Sequence, residues 1–326
     1  MRGRVWSVLL LVLSVVFIIL LTQFVMAATG LNRSVEKLKD DQQNSEKSKA
    51  HFVLIAQEYG NPYWTSIEKG ALKAGEDLQV QVEYIGPIQS NMEEQLKLLE
   101  KSIASNVDGI IVQSLNNEKF TPLINKAINK GIPVITIDTD APSSNRLSYV
   151  GTDNYFAGQQ LGLKVLEETG GKGKIGVIIG DMTAENQKLR LNGLKAIIGK
   201  RANMEIVEVL PSNISRIKAG QQAEKILRSY PEVTILVGTS ALDAVGMLQA
   251  KENLNRHDVK IFGFDDVDET IQAIKDEKVT ATLVQKPYEM GYKSIRLMYD
   301  YFKGNSIPNR AYTDITIVDS TDLQTE

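Results

Sequence analysis

The chain contains no cysteine. Disulfides, thiolate metal sites, thiol nucleophiles and a lipidated cysteine anchor are therefore excluded. Histidine is nearly absent too. His51 and His257 are the only two, and neither lies in an H-E-x-x-H spacing, so metal and histidine-base chemistry have little to work with. No G-x-S-x-G elbow occurs, and no acid pair has a spacing that suggests glycoside hydrolysis. Strong charge of either sign is also missing. A net charge of −3 gives no footprint for nucleic acid or for an anionic membrane surface. The expectation is a binding protein rather than an enzyme, with no cofactor, no metal and no nucleic-acid partner. With 43% hydrophobic and 24% charged residues over 326 positions, the chain is globular and long enough for about two domains.

At the start, Arg2 and Arg4 precede an uncharged stretch that lasts until Arg33. Its apolar centre, Val8 to Leu21, is interrupted only by Ser14, and Thr22 to Ala28 extends it. About 20 apolar residues span a bilayer, whereas a signal-peptide core needs about 7 to 15. The length favours a retained anchor, while Val25-Met26-Ala27 leaves cleavage open. With arginines in front, the positive-inside rule places the rest of the chain outside the cytoplasm in either case. Residues 1–28 are thus a membrane anchor or signal peptide, and the polar, charged residues 29–49 read as a flexible tether.

From His51 onward, short apolar strands alternate with amphipathic helical segments. The expected strands are Phe52–Gln57, Val80–Ile85, Gly109–Gln113, Pro133–Ile137 and Ser148–Gly151, then Lys174–Ile179, Glu205–Leu210, Val233–Val237, Val259–Phe264, Thr280–Val284 and Ile315–Val318. Between them lie segments such as Met92–Ser105, where Met92, Leu96, Leu99 and Ile103 share one helical stripe. This alternation implies right-handed βαβ units and parallel sheets. A new helix beginning at Tyr155 puts a boundary near Thr152-Asp153, so two similar α/β halves with a cleft between them are expected.

Ligands of open α/β sheets bind outside the carboxyl ends of the strands. Asn61, Tyr63 and Trp64 follow the first strand, in the turn Tyr59-Gly60-Asn61-Pro62 and the helix after it. Asp138, Ser240, Asp265 and Gln285 follow later strands, and Arg190 lies in the helix Glu185–Ile198. Carboxylates accept pairs of hydroxyl hydrogen bonds, and arginine and amides donate to hydroxyl and ring oxygens. Aromatic faces cover the C–H faces of a sugar ring. Duller readings stand beside these. Tyr63 and Trp64 would plug the top of the sheet, Asp138 and Asp265 would cap helices, Arg190 would be a solvated charge, and Gln285 would start a loop. Gly170-Gly171-Lys172-Gly173-Lys174 is a helix-terminating turn and not a phosphate loop, because it precedes a strand. Asp265, Asp266 and Asp268 lack the pattern of a calcium loop, and Asp266 is expected to cap a helix.

From His51 to about Ser320 the chain resembles the ribose-type sugar-binding proteins that serve ABC transporters, whose fold is shared by the effector domains of lac-repressor-type regulators. The resemblance rests on Asn61-Pro62-Tyr63-Trp64, Pro133-Val134-Ile135-Thr136-Ile137-Asp138 and Arg190-Leu191-Asn192-Gly193. It continues through Arg216-Ile217-Lys218, Gly263-Phe264-Asp265 and Ala281-Thr282-Leu283-Val284-Gln285. It implies a type I periplasmic-binding-protein fold, α/β, with two Rossmann-like lobes of parallel sheets joined by a three-crossover hinge. The crossings would fall near Thr152, Gln285 and Asp314, giving one lobe of residues 50–152 plus 286–314 and another of 153–285 plus 315–326. Helix Tyr288–Phe302 would return to the first lobe. It also implies that Asn61, Tyr63, Trp64, Asp138, Arg190, Asp265 and Gln285 contact a sugar. Three positions depart from the ribose binders. Thr139 stands where they have arginine, Ile214 where they have an aromatic, and Ser240-Ala241 where they have Asn-Asp, which argues against ribose itself.

The function expected is extracytoplasmic monosaccharide binding by hinge closure. The protein would either feed an ABC permease or report to a membrane partner such as a sensor histidine kinase, and the anchor tilts the choice toward sensing. The alternative, an effector domain of a lac-repressor-type regulator, calls for a basic helix-turn-helix at the start, where this chain has an apolar span.

Overall fold

The computed structural model describes Thr22 and residues 49–323. The expected anchor and tether lie outside the described residues, apart from Thr22 and Lys49. Among the described residues, no helix is long and apolar enough to cross a membrane.

From His51 the chain alternates as the apolar runs predict. The first series is β1 (His51–Ile55), α1 (Pro62–Leu78), β2 (Gln81–Ile85), α2 (Met92–Ala104), β3 (Gly109–Val112), α3 (Asn117–Asn129), β4 (Val134–Ile137) and β5 (Ser148–Thr152). The second is α4 (Asn154–Thr169), β6 (Gly173–Ile179), α5 (Glu185–Ile198), β7 (Met204–Pro211), α6 (Arg216–Ser229), β8 (Val233–Gly238), α7 (Asp243–Asn253), β9 (Lys260–Phe264), α8 (Asp268–Lys275) and β10 (Ala281–Val284). Then come α9 (Pro287–Phe302), β11 (Arg310–Thr313), β12 (Thr316–Asp319) and the short α10 (Ser320–Leu323).

Two six-stranded sheets result, ordered β11-β5-β4-β3-β1-β2 and β12-β10-β9-β8-β6-β7. In each, the order reverses beside the first strand. The connections after β1 and β3, and after β6 and β8, therefore leave toward opposite faces and open a crevice at the strand carboxyl ends. Strands such as β3, β4 and β10 are buried throughout, as strands covered on both faces must be.

Side chains fix where the helices start. Asn61, Asn91, Asn116, Asp153 and Ser215 each accept a backbone N–H from the first turn of the helix that follows, the usual N-cap arrangement. Gly170 ends α4 at φ 60°, so the glycine-rich run is the helix-terminating turn expected of it. Helix α9 packs on α1 with backbone touching backbone. A Cβ on Gly291 would lie 1.9 Å from the Ile67 carbonyl oxygen, and one on Gly70 would lie 2.0 Å from that of Tyr288. The long C-terminal helix is thereby held against a helix of the first series.

Two features differ from expectation. Strand β11 is an extra edge strand, parallel to β5. Strand β12 pairs antiparallel with β10, although parallel pairing was the expectation throughout. The chain leaves the carboxyl end of β11 and reaches β12 through Asp314 and Ile315 alone. It enters the second sheet at the carboxyl end of β10 and has to run backwards along it, because a parallel entry needs a longer crossover.

Candidate functional site

All ten residues singled out above, Asn61, Tyr63, Trp64, Asp138, Thr139, Arg190, Ile214, Ser240, Asp265 and Gln285, line one cavity of about 620 Å³ at the carboxyl ends of both sheets. Asp138 directly follows β4 and is 6% exposed. Its Oδ1 accepts from Tyr63 Oη at 2.8 Å. Its Oδ2 accepts from Gln113 Nε2 at 2.7 Å and from Thr139 Oγ1 at 3.0 Å. It caps no helix. Loss of water, together with the charges of Asp138 and Asp265, holds the Tyr63 phenol well above its usual pKa, so Tyr63 stays protonated and donates.

The other wall is built around Arg190, which is buried. Its Nε donates to Asn154 Oδ1 at 2.8 Å, Nη1 to the Thr239 carbonyl at 2.8 Å and Nη2 to Gln285 Oε1 at 2.9 Å. Its guanidinium lies 3.8 Å from the centre of the Phe264 ring, a cation–π arrangement. The solvated-charge reading of Arg190 is therefore excluded. Gln285 passes the contact on, with Nε2 donating to Asp265 Oδ1 at 2.9 Å. Burial pushes the Asp265 carboxyl up to about 6, against the pull of Arg190 and Gln285. Asp265 caps nothing either. Asp266 also fails as a cap: it is exposed, and α8 starts after Val267 with no side-chain cap. The first turn of that helix already carries two acids of its own, Asp268 and Glu269.

Other expected residues combine a structural duty with a place on the wall. Asn61 caps α1, its Oδ1 accepting from the Tyr63 N–H at 3.0 Å while Nδ2 donates to Glu58 at 3.3 Å. Trp64 is only 3% exposed, with its ring edge-on to Tyr63 at 6.1 Å between centroids. It fills the top of the sheet and borders the cavity at once. Ser240 is placed by Asp243, whose Oδ2 accepts both the Thr239 and Ser240 N–H groups at 3.1 and 2.8 Å. Burial pushes Asp243 up to about 6. Ile214 sits at φ 55°.

Gln57, Gln113, Asp181, Asn186 and Gln187 also line the cavity and were not foreseen. The signal was present for two of them. Gln57 and Gln113 end their expected strands, the same criterion that selected Asp138. Gln113 is 2% exposed, and its Oε1 is buried with no partner among the described residues. Gln187 lies in α5, one turn before Arg190. It accepts from the Gly180 N–H and from Thr239 Oγ1, a loop-tightening role that no sequence pattern announces.

Two opposed carboxylates, a guanidinium, amides and an aromatic edge, contributed by two doubly wound sheets, describe a site for an uncharged polyhydroxylated ligand. Residues 52–306 match the periplasmic binding protein domain family. The chain belongs to that family. Its members bind small molecules and do not transform them, and its type I fold is the one described above. Among solved structures, it is similar to GanP, a glucose-galactose binding protein from Geobacillus stearothermophilus, at 43% identity and a TM-score of 0.84, over 85% of this chain and 99% of that one. It is similar to a chain of the XylFII-LytSN complex at 36% identity and a TM-score of 0.79, over 84% and 99%. The D-allose-binding periplasmic protein of Escherichia coli (strain K12) is 25% identical over 282 residues, 83% of this chain and 91% of that protein.

Proposed function

We propose that the protein binds a monosaccharide outside the cytoplasm by closing two lobes over it, residues 50–152 plus 286–314 against 153–285 plus 315–326. The observation that carries this reading is the placement of Asp138 from one sheet and Asp265 from the other on the same cavity, with Arg190 on the wall that carries Asp265. Each carboxylate has room to accept sugar hydroxyls, and Arg190 and the amides donate to ring and hydroxyl oxygens. Once closure shuts out water, a sugar lacking one of those hydroxyls leaves a buried charge unpaired, which is how such a site selects among epimers. The 43% identity to a glucose-galactose binding protein supports a hexose, and Thr139 and Ile214 support exclusion of ribose. Calorimetry of the purified protein against D-glucose, D-galactose, D-xylose, L-arabinose and D-ribose tests it. Binding of a hexose or a pentose other than ribose is expected, and silence across the panel at millimolar concentration sinks the proposal.

Closure then reports the sugar to a membrane partner. Similarity to a chain of the XylFII-LytSN complex and the long apolar start favour a sensor histidine kinase as that partner over an ABC permease, with residues 1–28 retained as the anchor. Crosslinking in membranes, with and without sugar, decides between them by the identity of the captured protein.

A further inference from the structure

Behind the cleft, a chain of hydrogen bonds with a fixed direction joins the two sheets. Arg190 can only donate, so its Nε–H fixes Asn154 Oδ1 as the acceptor, at 2.8 Å. The Asn154 amide is then committed to donate, to Tyr149 Oη at 3.2 Å and to the Thr152 carbonyl at 3.0 Å. The Tyr149 phenol donates to the Asp138 carbonyl at 2.8 Å, with the Thr152 carbonyl 3.1 Å away. At its far end, the chain therefore grips the backbone of Asp138, which holds φ 60°, a conformation rare outside glycine. A turn of that kind keeps its aim only when its surroundings hold it. Tyr149 and Asn154 are each 4% exposed. Neither borders the ligand cavity. Both line an adjoining crevice of about 440 Å³, with Asp153, Glu185 and Tyr312.

We infer that Tyr149 and Asn154 are positioning residues that couple the aim of Asp138 in one lobe to Arg190 in the other, so that the groups on both walls are aligned before the sugar arrives. The inference rests on the cleft reading above for its ligand, but its mechanical part does not need one. Because the chain has no native cysteine, Ile88→Cys and Ile217→Cys, at positions 82% and 75% exposed, give one spin-label site on each half of the full-length protein. In that background, Tyr149→Phe keeps the ring and removes the hydroxyl.

The expected result is a broader inter-label distance distribution in the sugar-free protein. With it comes a rise of about tenfold in Kd for whichever sugar the parent binds, the loss expected for one buried hydrogen-bond link. Asn154→Ala should do the same, and the double variant should be no worse than the weaker-binding single one, since both cut one link. Tyr312→Phe, which trims a hydroxyl from the same crevice, should change neither readout. If folded Tyr149→Phe keeps the parent's distance distribution and a Kd within twofold, the inference is wrong. If Tyr149→Phe does not fold, Asn154→Asp, which still accepts from Arg190 but cannot donate to Tyr149, is judged by the same two criteria. Should the parent bind no sugar at all, the proposed function fails while the distance distributions still decide the coupling.

Discussion

Asp138 and Asp265 occupy equivalent places in the two sheets. Each directly follows a strand, β4 or β9, and each turns left-handed, at φ 60° and 66°. Each donates its N–H to the neighbouring strand, Asp138 to the Val150 carbonyl at 3.0 Å and Asp265 to the Leu283 carbonyl at 2.7 Å. Each receives a hydroxyl from that strand on its own carbonyl, from Tyr149 at 2.8 Å and from Thr282 at 2.7 Å. The two halves thus present the same carboxylate at the same point, facing one cavity.

Substitution of either acid is expected to abolish sugar binding while leaving the protein folded. Asp138→Ala removes the acceptor of Tyr63, Gln113 and Thr139, and Asp265→Ala removes that of Gln285. Losing two charged hydrogen bonds to a sugar costs about 3 kcal/mol or more, which is on the order of a hundredfold in Kd. Calorimetry with circular dichroism as the folding control checks this. Affinity within tenfold of the parent in both variants would show that these acids shape the loops and nothing more.

The raised pKa of Asp265 gives a pH dependence with a definite sign. Its folded value, about 6, lies above the ordinary aspartate value, so between about pH 4 and 6 the folded sugar-free protein holds a proton that the unfolded chain has released. The stability this contributes is complete below about 4 and is lost as pH rises through about 6. Asp243, also raised to about 6, acts in the same sense. Sugar affinity runs the other way. Hydroxyls donate to the ionised carboxylate, so binding weakens below about 6, approaching tenfold per pH unit. A Kd at pH 5 about tenfold above that at pH 7 is expected, with the dependence flattened in Asp265→Asn. A flat profile in the parent would remove Asp265 from direct contact with the ligand.

Much of this was readable from residue order, and the parts that were not share a physical cause. Strands such as β3 and β4 are buried on both faces, so they are unbroken apolar runs, and the polar residue that ends each run marks the cleft. Asp138, Asp265 and Gln285 were found that way. β11 escaped notice because it is an exposed edge, Arg310-Ala311-Tyr312-Thr313, with only Thr313 buried, and such a strand has no apolar signature. The direction of β12 depends on where the chain re-enters the second sheet, which no local pattern contains. Asn154 and Gln187 were missed because their partners lie 36 and 52 residues away in Arg190 and Thr239. Asn154 reads locally as the first residue of a helix, and only the folded chain shows what its amide holds.

Ile214 is expected to show a trade between stability and affinity. A β-branched residue at φ 55° costs roughly 1–2 kcal/mol relative to glycine, and it borders the cavity where the ribose binders place a ring. Ile214→Gly should raise the melting temperature of the sugar-free protein and lower sugar affinity, by about threefold to tenfold for a lost apolar contact. Thermal unfolding and calorimetry on the same preparation measure both. A fall in melting temperature would mean that the side chain's packing outweighs the backbone strain.

Trp64 separates plug from wall. It packs at the top of the first sheet, nearly buried, with one edge on the cavity. Trp64→Ala confounds the two duties, because a Trp→Ala cavity costs about 3–5 kcal/mol of stability by itself. Trp64→Phe keeps most of the packing and withdraws the outer ring, so it should stay folded and still lose about tenfold in affinity, the scale of one aromatic contact. The chain has two tryptophans, Trp6 and Trp64, and Trp6 lies in the apolar N-terminal segment. The parent's tryptophan emission should therefore shift on sugar addition, and that shift should vanish in Trp64→Phe. If the emission ignores sugar and Trp64→Phe binds as tightly as the parent, Trp64 is a plug, and Tyr63 is left as the aromatic face of this wall.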